Sequence, residues 1–175
     1  MLVRMAVTQQ LVRIPAERLA VCRRSVEAVD EVCSFLAVSD EDQLDLNWWP
    51  SVLKRVWELA GVEARTLALL RRAVDGDDEV NPAYRDCPDT IWQHPVTALE
   101  PSPVGEVADA LRAVTSQDIR AVVPPDPGEV EAELARVARW VDGDLAGPLI
   151  IQHALLRDFY EEAAQRHLAV VLWWD

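Results

Sequence analysis

Glycine and lysine are scarce in this chain. Only six glycines and a single lysine, Lys54, occur among its 175 residues, and no G-x-G-x-x-G, G-x-x-x-x-G-K-[ST] or G-x-S-x-G pattern is present. Phosphate-binding loops need glycine because the backbone N–H groups must approach the ligand closely. The sequence therefore argues against nucleotide chemistry.

Cysteine pairs and long apolar runs are also missing. The three cysteines, Cys22, Cys33 and Cys87, form no C-x-x-C pair and no H-E-x-x-H occurs, so no metal or other cofactor is predicted. The apolar runs reach seven residues, whereas a membrane-spanning helix needs about 20. No apolar leader opens the sequence, so we expect a cytoplasmic protein with reduced thiols and no membrane partner.

Positive charge is scarce in the second part of the chain. Residues 1–74 have ten acidic and ten basic residues, whereas residues 75–175 have 20 acidic residues and seven arginines, which accounts for the net charge of -13. A polyanion would be repelled there, so nucleic acid is not an expected partner. The excess serves solubility or attracts a basic protein partner.

The apolar pattern that is present predicts one α+β domain spanning residues 1–175. Loose alternation over residues 2–14 predicts an N-terminal strand, and the short apolar, aromatic run at residues 168–174 predicts a buried strand beside it. Between them, helical spacing predicts several amphipathic helices. The expected fold is therefore mostly helical, with a small sheet that contains both terminal strands.

Several local signals define the predicted helices. Ser102 and Pro103 are typical of a helix start, and Thr115 with Asp118 matches a capping box. Residues 44–49 are expected to be extended, residues 75–95 mostly loop, and a periodic helix is expected over residues 130–143. The longest helix has inward-facing residues at a spacing of four, namely Ile151, Leu155, Phe159 and Ala163.

The order of these segments resembles the YfbM-like family of bacterial proteins, also called domain of unknown function 1877. The matching segments are I-P-A-E-R-L at residues 14–19, L-D-L at 44–46, L-E-P-S-P at 99–103, V-T-S-Q-D-I at 114–119, P-D-P at 125–127 and L-L-R-D-F-Y-E-E-A-A at 155–164. The similarity spans nearly the whole chain and is strongest from about residue 99 onward. It implies an α+β fold and no assigned activity. Family members tend to have a histidine after L-D-L-D, which this chain lacks, so it resembles a divergent member.

Two residues are candidates for acid–base or nucleophilic chemistry. Cys87 and His94 lie seven residues apart in a loop rich in proline and acid, so a thiol and an imidazole could meet there. The negative charges of the neighbouring Asp86 and Asp89 are expected to disfavour a thiolate, which favours an inert cysteine.

Tryptophan and acid together suggest a protein-binding surface. Trp48 and Trp174 each belong to an adjacent tryptophan pair, and neighbours in a strand point to opposite faces, so one member of the C-terminal pair should be half exposed. Asp158 and Glu162 lie on the polar side of the longest helix. These four residues are the candidate protein-binding residues.

Three hypotheses about function follow. The leading one is a non-catalytic acidic domain that binds a basic protein, with an immunity-like role as one instance. The alternative is a small hydrolase in which His94 and carboxylates converge in a pocket. The third is a dimerising module with Trp174 buried across a two-fold interface.

Overall fold

The two terminal strands of the described chain lie side by side. The structure, a computed structural model, describes residues 7–88, 90, 94–126, 129–130, 134, 139 and 141–175. Strand β1 (Gln9–Ile14) pairs antiparallel with β5 (Ala169–Trp174), from Gln9 opposite Trp174 to Ile14 opposite Ala169. This pairing confirms that the two terminal strands share a sheet, and residues 2–6 of the predicted N-terminal strand lie outside the described residues.

Three further strands complete an antiparallel sheet of five. They are β2 (Gln43–Asn47), β3 (Asp78–Glu79) and β4 (Thr97–Leu99), and the strand order is β2-β1-β5-β4-β3. The extended segment predicted at residues 44–49 corresponds to β2. Strand β3 and a 3₁₀ segment, Pro82–Asp86, lie in the stretch predicted to be mostly loop.

Seven α-helices occur in the described part of the chain. They are α1 (Ala16–Cys22), α2 (Val26–Cys33), α3 (Pro50–Leu59), α4 (Ala64–Asp75), α5 (Pro101–Ala113), α6 (Ser116–Val122) and α7 (Ala146–Gln165). The α+β fold class, mostly helical, is therefore confirmed. The helix predicted over residues 130–143 falls largely outside the described residues, although Leu134 is described and buried.

The sheet is a middle layer because both of its faces are covered. All six residues of β1 are buried: Leu11 belongs to the core cluster formed with α3–α7, and Val12 to the cluster formed with α1 and α2. Successive strand residues point to opposite faces. Two apolar cores of different size therefore lie on either side of one small sheet.

Two local predictions about helices are wrong. Helix α5 begins at Pro101 with Glu100 as its N-cap, and no side chain caps it, so Ser102 lies inside the first turn. On α7, Ile151 and Leu155 are exposed, whereas Leu149, Leu156 and Tyr160 are buried together with the correctly predicted Phe159 and Ala163. The capping box of Thr115 and Asp118 is confirmed at the start of α6.

Candidate functional site

The strand register brings several chain segments to one end of the sheet. Gln9 at the start of β1 pairs with Asn47 at the end of β2 and with Trp174 at the end of β5. Thr97 at the start of β4 pairs with Leu172, so the residues just before β4 lie beside Trp173 and Trp174. Antiparallel pairing therefore brings the first residues of β1 and β4 and the last residues of β2 and β5 to the same end of the sheet.

A cleft of about 350 Å³ opens at this end, on the face covered by α1 and α2. Its volume is near the lower limit for ligand pockets in proteins. We call it the acidic cleft. The lining residues that matter for its chemistry come from α2, β3, the 3₁₀ segment, the approach to β4 and the end of β5: Asp30, Cys33, Glu79, Tyr84, Arg85, His94, Trp173, Trp174 and Asp175.

Aromatic rings form one wall of the acidic cleft. Trp173 is almost completely buried and its ring lies 5.4 Å from that of Phe35, whereas Trp174 is half-buried and its ring lies 5.3 Å from that of His94. The two tryptophans thus divide as expected for neighbours in a strand. Trp174 is the member that leaves part of its indole accessible to a ligand.

Carboxylates outnumber cations around the acidic cleft. Asp30, Glu79 and Asp175 line it together with one arginine, Arg85, whose Nη2 lies 2.9 Å from Oε2 of Glu79. The Tyr84 hydroxyl donates a hydrogen bond to Oδ1 of Asp30 at 3.2 Å. The negative charges of Asp30 and Asp175 therefore remain without a cationic side chain among the described lining residues.

The thiol in the acidic cleft is protonated at neutral pH. Burial raises the pKa of Cys33 to about 12, although a hydrogen bond with Tyr84 acts in the opposite direction. Burial also raises the pKa of Tyr84, and the neighbouring Cys33 and Asp30 add to this effect. Only a thiolate is strongly nucleophilic, so these surroundings disfavour Cys33 as a nucleophile.

The predicted pair Cys87 and His94 is not brought together as a nucleophile and a base. Cys87 is half-buried in the turn after the 3₁₀ segment and is not among the residues lining the acidic cleft. His94 lines the cleft, and its contact among the described residues is the ring contact with Trp174.

Three of the four predicted protein-binding residues lie away from the acidic cleft. Trp48 is half-buried and stacks on Trp49, with 4.4 Å between ring centroids. Asp158 is exposed on α7 and its carboxylate pairs with Arg157 at 2.7 Å. A binding role for these residues stays a prediction.

Glu162 belongs to an ion-pair network at the opposite end of β1. Its carboxylate lies 2.9 Å from the buried guanidinium of Arg13 and 3.2 Å from that of Arg166, and both arginines also pair with Asp42. Its pKa is lowered mainly by the hydrogen bond with Arg13. This carboxylate joins α7 to the sheet.

The cleft residues that sequence reasoning missed are Asp30, Cys33, Glu79 and Tyr84. A local signal marks the 3₁₀ segment that contains Tyr84. Asn81 followed by Pro82 is a typical helix start, and the Asn81 side chain accepts a hydrogen bond from the backbone N–H of Ala83. No local pattern marks the others, because they face the cleft only through tertiary contacts.

Neither a metal centre nor a membrane span is found in the described part of the chain. No group of three or more His, Cys, Asp and Glu side chains there is placed to hold a metal ion. No helix among the same residues is both long and apolar enough to cross a membrane.

Comparison with known proteins identifies the fold. No protein-family model matches the sequence, and no curated protein does. A solved structure, described as that of a protein of unknown function, YfbM from Escherichia coli, matches with a TM-score of 0.61 at 13% identity, over 96% of this chain and 99% of that chain. The chain therefore has a YfbM-like fold, and at this identity the likeness shows the fold alone.

Proposed function

We propose that this chain is a non-catalytic binding domain of the cytoplasm, a divergent relative of the YfbM-like family, which uses the acidic cleft to bind a basic segment of a protein partner. The observation that supports this most is the combination, in one cleft, of a partly accessible indole with carboxylates that have no cationic partner among the described lining residues. Trp174 is the predicted protein-binding residue that takes part.

The charges of the acidic cleft favour a cationic group. Arg85 is already paired with Glu79, so a lysine or arginine side chain of the partner would meet the carboxylates of Asp30 and Asp175. A cation over the face of an indole gains roughly 0.5–1 kcal/mol at an exposed site. The acidic excess of residues 75–175 would also speed the encounter with a basic protein.

A defined peptide tests this proposal. Blocked peptides of equal length, one alternating lysine with glycine and one alternating glutamate with glycine, are titrated into the full chain and followed by tryptophan fluorescence. We expect the basic peptide to bind and the acidic one not to bind. Binding should weaken as salt rises from low to physiological concentration, because salt screens exposed charges.

Two carboxylate variants locate the binding site. Asp30→Asn keeps an acceptor for the Tyr84 hydroxyl but removes the charge in the acidic cleft, so we expect roughly 3- to 10-fold weaker binding. Asp158→Asn removes an exposed charge on α7 and should leave the affinity within about twofold. An equal loss in both variants would show that general acidity and not the cleft attracts the peptide.

The hydrolase alternative depends on His94, which shares the acidic cleft with Asp30 and Glu79. A catalytic base must lie within hydrogen-bond reach of its proton donor. Hydrolysis of a panel of model esters and amides that is abolished by His94→Gln, with no loss of peptide binding, would favour this alternative over the binding domain.

A further inference from the structure

A second, smaller hollow lies at the same end of the sheet but on its other face. It has a volume of about 180 Å³ and lies between the end of α4 and the sheet. We call it the Gln9 hollow. The residues whose chemistry matters are Gln9, Asp75, Thr97, Leu172 and Trp174. The hollow is also lined by residues that it shares with the acidic cleft, namely His94, Pro95, Trp173 and Trp174, whereas Asp30 and Glu79 line only the cleft.

The side chain of Gln9 presents an unused acceptor. Gln9 is 2% exposed, and its Nε2 donates a hydrogen bond of 2.6 Å to the backbone oxygen of Val74. This donation defines the orientation of the amide, since a carbonyl oxygen can only accept. Oε1 is buried and accepts no hydrogen bond from any described residue. Buried polar atoms in proteins are nearly always hydrogen-bonded, so an acceptor without a partner among the described residues points to a donor that a ligand can supply.

The remaining lining groups specify what kind of donor fits. Asp75, next to Val74, has a half-exposed carboxylate, and its charge meets the ammonium of Lys54 at 2.8 Å. Trp174 contributes an aromatic surface beside the ring of His94, which lies 5.3 Å away. A guanidinium is planar, has five N–H donors, pairs with carboxylates and stacks on aromatic rings, whereas an ammonium is compact and strongly hydrated.

We infer that the Gln9 hollow binds a guanidinium group, that is, an arginine side chain, through Gln9 Oε1, the Asp75 carboxylate and the Trp174 indole. This inference does not rest on the proposed function, because Gln9 and Asp75 line only the hollow and the carboxylates of the acidic cleft line only that cleft, although the two sites share His94 and Trp174. Lys54 competes with the ligand for Asp75 in this arrangement.

Blocked arginine, acetylated and amidated at its termini, is the probe, and blocked citrulline is its neutral counterpart of nearly the same shape. Binding to the isotopically labelled full chain is followed by the NMR signals of the Gln9 side-chain amide and the Trp174 indole. We expect both signals to move with arginine, and citrulline to bind roughly tenfold more weakly, because hydrogen bonds to charged groups are the stronger ones.

Variants distinguish the Gln9 hollow from the acidic cleft. Lys54→Met frees Asp75 and should tighten arginine binding severalfold. Gln9→Leu should weaken it at least roughly fivefold. Asp30→Asn, which weakens the basic peptide in the acidic cleft, should leave binding in the Gln9 hollow unchanged.

Two results would overturn the inference. One is a Gln9 amide signal that does not move at saturating arginine in the unmodified chain. This measurement does not depend on whether the Gln9→Leu variant folds. The other is an affinity for arginine that is unchanged or lower in Lys54→Met. Neither result bears on the peptide titration, so failure here and failure of the proposed function are distinguishable.

Discussion

Gly76 is the residue at which helix α4 turns into the sheet. Its backbone has φ +70°, and a Cβ at this position would lie 2.7 Å from Cβ of Thr97 and 3.3 Å from Cδ1 of Leu172. Directly beside it, Thr97 Oγ1 donates to the backbone oxygen of Asp75 at 2.9 Å. Glycine is required here both for its conformation and for the close approach, and the walls of the Gln9 hollow depend on this turn.

Replacing this glycine tests the close approach. Gly76→Ala should lower the free energy of unfolding by about 3 kcal/mol, since backbone strain adds to overpacking. Gly61 is the matched control, because it also has a positive φ but a Cβ added there would have nothing within 4 Å. Gly61→Ala should cost about 1 kcal/mol. Urea unfolding measures both, and equal losses would show that the contact with Thr97 contributes nothing.

Helix α6 shows how local chemistry defines the boundary of an element. The Thr115 hydroxyl accepts a hydrogen bond of 3.2 Å from the backbone N–H of Asp118, and Oδ2 of Asp118 accepts one of 2.8 Å from the backbone N–H of Thr115. Both bonds satisfy N–H groups that have no partner within the helix. Ser102 in α5 also has a side-chain hydroxyl group, but it makes no such bond because the helix begins one residue before it.

The two positions predict different effects of alanine. Thr115→Ala should destabilise the protein by about 1 kcal/mol, the usual contribution of an N-cap. Ser102→Ala should change the stability by less than about 0.5 kcal/mol, since Ser102 is exposed inside the first turn. Thermal and urea unfolding would measure both, and a larger loss at Ser102 would place the start of α5 elsewhere.

At the scale of the whole molecule, buried titratable groups link stability to pH. His153 is buried between α3, α5 and α7: its Nδ1 accepts from the Trp57 indole at 3.2 Å, and its Nε2 donates to the backbone oxygen of Leu111 at 3.0 Å. Burial lowers the pKa of His153, although hydrogen bonds with the Leu111 and Val114 backbone oppose this effect. His153 is thus a neutral core residue with both ring nitrogens satisfied.

The carboxylate of Asp42, which pairs with Arg166 just after the C-terminal end of α7, also makes the stability of the fold depend on pH. Burial alone would raise the pKa of Asp42, but Arg166 and Arg13 lower it overall. Pairing of Asp42 therefore stabilises the fold above the pKa of a free aspartate, about 4, and this stabilisation disappears as the pH falls through the lower folded pKa. The network at this end of the sheet is an acid-sensitive link between α7 and β1.

The free energy of unfolding should consequently fall in two stages on acidification. Below about pH 6.5 the unfolded chain protonates His153 while the folded chain does not, so stability decreases by at most about 1.4 kcal/mol per pH unit; below about pH 4 the loss of Asp42 pairing follows. Urea midpoints measured from pH 7 to pH 3 would show both stages.

Two histidine variants assign the first stage. His153→Gln retains a donor and an acceptor but does not titrate, so its stability should be flat between pH 7 and pH 5. His167→Asn, which alters an exposed histidine at a positive φ, should keep the stage. A first stage that persists in His153→Gln would mean that another group causes it.

Much of the fold follows from patterns that lie close together in the chain. The apolar segments at both ends and the capping box at Thr115 predicted elements that the structure confirms. The buried face of α7 did not follow, because apolar residues occur around most of this helix and Leu149, Ile151, Leu155 and Leu156 fit a buried stripe equally well. Contacts of α7 with α5, α6 and the sheet decide which of them are covered.

By itself, the sequence determined that this chain folds into an acidic α+β structure whose terminal strands share a sheet, because periodicity and composition express burial over neighbouring residues. Only the tertiary structure decided where ligands could bind. Asp30, the stretch that holds Tyr84 and His94, and Trp174 come from three distant parts of the chain. Oε1 of Gln9 has no partner among the described residues, because Nε2 of the same amide donates its hydrogen bond to the backbone oxygen of Val74. Such groups meet through strand register and helix packing, which no local spacing encodes.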